Sequence, residues 1–223
     1  MDIISCPDYI PLNVISEKKL SHKWDAWDPY ETLGDRNEET MEQLSRVSNR
    51  AIIAYAIACS EWVIFRLSKQ FETSVPYKFI QACWAFEMEK SYRAPPPLKE
   101  KDWEGPIFGA IDLALVTILN TYYVTEEEAA ETEAAIGELI ALHVLEDKAQ
   151  FISWREKVLD KLIYYFPRSS SDPWGEAVPR EALDPKLTLD LEQRDMAVSR
   201  FLSSLDVKLN NFLKFIPGGD NTQ

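Results

Sequence analysis

Histidine is almost missing from this chain: His22 and His143 are its only two in 223 residues. No H-E-x-x-H occurs, nor the pair of E-x-x-H elements that a di-iron carboxylate bundle needs. Nucleophile elbows, Walker loops and G-x-G-x-x-G turns are also missing, which removes the usual signatures of serine hydrolases and nucleotide-loop enzymes. Seven glycines are too few for a turn-dense all-β protein. Cys6, Cys59 and Cys83 make an odd number with no C-x-x-C, so neither a disulfide framework nor a zinc ligand set is expected. Unpaired thiols fit a reducing cytosol. The strictly apolar run from Ala51 to Cys59 is too short to span a bilayer, and the acidic, proline-bearing start lacks the basic region of a signal peptide. These absences predict a soluble cytoplasmic protein, more plausibly a binder than an enzyme, with no cofactor.

Bases are missing where acids are dense. The net charge is −13. Residues 24–45 hold seven acids against Arg36 alone, and residues 125–147 hold eight acids and no base. The rest of the chain is close to neutral. Direct nucleic-acid binding needs clustered Lys and Arg, and an anionic membrane surface needs the same, so neither is expected.

What is present reads as helix. Apolar residues make up 46% of the chain and no segment keeps a period-2 alternation. Residues 38–71 run without Pro or Gly behind a D-x-x-E start at Asp35 and Glu38. Their second half is apolar on nearly every face and belongs at the centre of the fold. Further helices are expected over 77–93, over the mostly apolar 106–124, behind a T-x-x-E capping box at Thr125 and Glu128, and over 150–166. In that last segment Phe151, Trp154, Val158, Leu162 and Tyr165 form one stripe. The fold class is all-α: about six helices in an antiparallel bundle or stacked helical hairpins. An irregular N-terminal arm over 1–36 precedes a single helical domain over 37–223, whose C-terminal helix covers about 188–215.

Residues 167–185, PRSSSDPWGEAVPREALDP, interrupt this helical reading with four prolines and three serines. A segment this long without regular structure is functional, disordered or anchored. The expectation is a strap laid across the body and pinned by Trp174, with Val178 and Leu183 assisting.

Three functional readings follow. In the first, an acidic interaction module binds and inhibits or positions a basic partner protein, in the manner of an immunity protein, antitoxin or adaptor. Its partner-binding residues are Glu126, Glu127, Glu131, Glu133 and Glu138, with Trp24, Trp27 and Trp174 as aromatic anchors. The second is a metal-assisted enzyme built on Glu61, Asp112 and His143, since a lone acid in an apolar helix needs a partner or a raised pKa. Arg50, Arg66, Arg93 or a helix end are the structural alternatives for pairing those acids. The third is a homo-oligomer or a subunit of a larger assembly, with the tryptophans at its contacts.

Overall fold

The computed structural model describes residues 4–16, 20, 32–98, 103–125 and 129–216. Among them are eight α-helices and one two-stranded sheet, so the chain is all-α. A short α1 (Leu12–Ile15) and α2 (Glu38–Leu44) precede α3 (Asn49–Leu67), α4 (Val75–Met88), α5 (Gly105–Tyr123), α6 (Ala130–Val144), α7 (Ala149–Tyr165) and α8 (Leu191–Ser203). β1 (Tyr92–Arg93) pairs antiparallel with β2 (Lys214–Phe215).

All nineteen residues of α3 are buried, as its all-round apolarity requires. α4, α5 and α6 pack around it, and α5 and α6 form a hairpin with each other. α3 and α5 are each long and apolar enough to cross a membrane by length and composition, once a few polar residues are tolerated. The count of strictly apolar residues missed this. α3, however, is sheathed by its own protein. The α7 stripe packs inward: Phe151, Trp154, Val158 and Leu162 are buried, and Trp154 lies against Tyr9 and Tyr55 at 5.5 and 5.9 Å.

The expected helix over 38–71 is broken at 45–48. Asn37, not Asp35, caps α2 through its side-chain oxygen, which accepts from the backbone N–H groups of Glu39 and Thr40. Ser48 caps α3 by accepting from the Ala51 N–H. Thr125 does not open α6; its hydroxyl donates back to the Tyr122 carbonyl at the end of α5, and Glu128 lies outside the described residues. α8 stops well short of residue 215. Asp206 bonds the Lys208 N–H and Asn210 bonds the Phe212 N–H, local turns that compete with helix.

The strap lies on the body and caps α3. A helix N-terminus inside a protein leaves N–H groups that water cannot reach. Here the Asn49 N–H donates to the Pro173 carbonyl at 2.9 Å and the Arg50 N–H to the Trp174 carbonyl at 3.1 Å. Just upstream, Val47 bridges to Pro167 and the Ser48 N–H donates to the Phe166 carbonyl. Gly175 makes the approach feasible: its φ is +70°, and a Cβ there would stand 2.5 Å from the Ser48 Cβ. Further along, Val178 and Leu183 are fully buried. Trp154 and Lys161 of α7 donate to the carbonyls of Leu183 and Asp184. Trp174 itself is only half-buried.

Candidate functional site

Glu61 is fully buried in α3, and its carboxylate is occupied. Oε1 accepts from the Trp84 indole N–H at 3.0 Å and the Arg180 guanidinium at 2.7 Å, and Oε2 accepts from the Tyr9 hydroxyl. Burial, then the neighbouring Glu61 carboxylate, raises the Tyr9 phenol well above its ordinary pKa. Arg180 also donates to the Ser5 carbonyl, tying the strap to the arm. The partner of Glu61 is therefore a strap arginine, not Arg50, Arg66 or Arg93. His143 is engaged elsewhere: a ring nitrogen lies 2.8 Å from the Leu33 carbonyl oxygen. Asp112 is half-buried, and burial raises its carboxyl. Among the described residues no group of three His, Cys, Asp or Glu could hold a metal ion. The Glu61–Asp112–His143 centre therefore does not assemble among the described residues: Glu61 is neutralised by Arg180, and one His143 ring nitrogen is held on the Leu33 carbonyl.

Glu138 is corrected too. It is 1% exposed, so it takes no part in an open docking face. Its carboxylate accepts from Arg155 at 2.8 Å, Tyr55 at 3.0 Å and Asn37 at 3.4 Å. Glu131 and Glu133 are half-buried, with Glu133 accepting from the Asn120 amide at 3.4 Å. Glu126, Glu127, Trp24 and Trp27 lie outside the described residues.

The two acidic stretches nevertheless meet. α2 packs on α6, the Leu33 carbonyl sits on His143, and the Asn37 amide reaches Glu138. Asp35, Glu38, Glu39 and Glu42 from the first stretch are exposed, as are Glu146 and Asp147 beyond the end of α6. Among the described residues, Arg36, Arg46 and Lys148 are the exposed bases in and beside these stretches.

A different surface opens beside the strap. Trp174, Phe86 of α4, Tyr122 of α5 and Tyr92 of β1 enclose a cleft of about 580 Å³. Tyr122 holds its walls together, meeting Phe86 edge-on at 4.5 Å and Trp174 at 6.1 Å. Arg50, Lys90 and Arg93 line it, and none of its described lining residues is acidic. Arg50 is 6% exposed, and its Nη1 has no hydrogen-bond partner. The nearest carboxylate, Glu87, stands 3.9 Å away, beyond hydrogen-bond reach. Glu87 Oε1 accepts from the Val178 N–H, and Oε2 has no partner. Burial pushes Glu87 up to about 8, against the opposing pull of Arg50 and the Val178 N–H. Sequence reasoning missed this cleft because its cations and aromatics come from five separate segments. Trp174 was the one visible signal.

Comparison with protein-family models, with curated proteins and with solved structures finds no match for this chain.

What the chain does has to be read from its own residues.

Proposed function

We propose that this chain is an acidic interaction protein that binds a basic partner protein and inhibits or positions it. The observation that carries this reading is the meeting of two acidic stretches that are distant in sequence. Contact between α2 and α6 brings the segment with exposed Asp35, Glu38, Glu39 and Glu42 against the helix that exposed Glu146 and Asp147 follow. Complementary charge over such a face speeds encounter and rejects acidic competitors. The docking residues differ from those the charge count alone would choose. Glu138 belongs to the core, and α2 supplies acids in its place. Neutralisation of Glu61 by Arg180, and the lack of a metal-holding group among the described residues, support a binder over the metal-assisted enzyme. A cytosolic setting fits the free thiols Cys6, Cys59 and Cys83, two of them buried.

The test is affinity capture from native lysate at low and high salt, with the parent chain and a Glu38→Lys, Glu39→Lys, Glu42→Lys variant. The reading expects one stoichiometric basic protein that salt releases and the charge-reversed variant fails to hold. A partner held equally by both chains at low salt, or no salt-sensitive partner, overturns it.

A further inference from the structure

The cleft beside the strap is built unlike the rest of the molecule. The chain carries a net charge of −13, yet three cations and no described acid line this one concavity. Lys90 and Arg93 are exposed at its rim, where solvated charge is inexpensive. Arg50 is not. Its Nη1 is out of water and 3.9 Å from Glu87, so that donor has exchanged its hydration for an ion-pair contact with no hydrogen bond, which costs stability. Its backbone is fixed by the Trp174 carbonyl. Burial of its side chain limits the rotamers open to it before any ligand arrives, which removes part of the ordering cost of binding. The cleft volume suits a small molecule of a few rings. Its aromatic walls suit a flat π-system. Three cations exceed what a single carboxylate would neutralise, which favours a multiply charged phosphate, the group that guanidinium binds best.

We propose that the cleft between Trp174, Phe86 and Tyr122 binds a mononucleotide-like ligand, its ring against the aromatic walls and its phosphate on Arg50, Lys90 and Arg93. No glycine-rich loop takes part. The site is independent of the acidic face, so either can fail without the other.

The experiment is calorimetric titration of the full chain with adenosine 5′-diphosphate, and separately with adenosine, inorganic phosphate and phenyl phosphate. The diphosphate is expected to bind at least tenfold more tightly than phosphate or adenosine alone. Arg50→Met is expected to weaken it at least tenfold. Lys90→Glu, on the exposed rim where folding is not at stake, is expected to weaken it severalfold. Three results overturn the proposal. One is no diphosphate binding at millimolar concentration. Another is phosphate binding as tightly as the diphosphate, which marks an adventitious ion only. The last is binding untouched by both variants. Phenyl phosphate matching or exceeding the diphosphate would overturn the nucleotide assignment in favour of a phosphorylated tyrosine side chain.

Discussion

Two arginine–glutamate pairs meet the strap, one through Arg180 and one through the Val178 N–H, and they are built differently. Arg180 and Glu61 touch at 2.7 Å, and Trp84 and Tyr9 add further donors to the carboxylate. Arg50 and Glu87 face each other at 3.9 Å, with Nη1 on one side and Oε2 on the other lacking a hydrogen-bond partner. Both carboxylates are fully buried. A saturated pair replaces the water it lost with protein donors, and breaking it strands a charge. An unsaturated pair has replaced only part of that water. The first holds the fold together. The second holds capacity in reserve, and the cationic cleft opens beside it.

The largest effect should come from breaking the saturated pair. Arg180→Met leaves Glu61 in the core with two neutral donors and should lower unfolding stability by about 3–5 kcal/mol in urea denaturation. The next should come from the strap's seat on α3. Gly175→Ala places a Cβ 2.5 Å from that of Ser48 at a φ of +70°. It should lose about 2–3 kcal/mol and expose the α3 N-terminus to faster amide exchange at Asn49 and Arg50. A destabilisation below about 0.5 kcal/mol would mean that the strap can shift without cost.

Glu87 offers a smaller, pH-dependent contrast. Its folded pKa is raised from 4.5 to about 8, so the folded protein keeps a proton that the unfolded chain gives up. The stability this contributes is complete below 4.5 and is lost as pH rises toward 8. The slope should be about 1.4 kcal/mol per pH unit. Glu87→Gln preserves an acceptor for the Val178 N–H and should flatten the stability profile between pH 5 and 8. A parent and variant with parallel profiles would remove Glu87 as the cause.

Much of this architecture could be read from the residues, because it follows from local pattern. α3 is apolar on every face and is central; α7 shows its stripe and buries all of it but the half-exposed Tyr165. The break at 45–48 could not be read. No Pro or Gly lies there; its one local sign is Ser48, which caps α3, and the rest comes from pairing with Phe166, Pro167 and Arg168, more than a hundred positions away. Glu138 was misjudged because charge was counted without regard to helical phase. It stands four residues after Ala134 and three before Ala141, both buried, so the same spacing that placed Ile136 and Ile140 inward could have placed it. Glu61 was correctly singled out as an acid in need of a partner. Its partner Arg180 lay hidden in a proline-rich segment that carries no helical phase to place it.

One comparison tests the difference between the two pairs most directly: urea denaturation of Arg50→Met beside Arg180→Met at pH 7. Removing Arg50 leaves Glu87 able to hold its proton, so no buried charge is stranded. That variant should stay within about 1 kcal/mol of the parent, while Arg180→Met falls by several-fold more. Equal, large losses in both would contradict the account, since Arg50 would then be a structural cation like Arg180 and no reserve would exist beside the cleft.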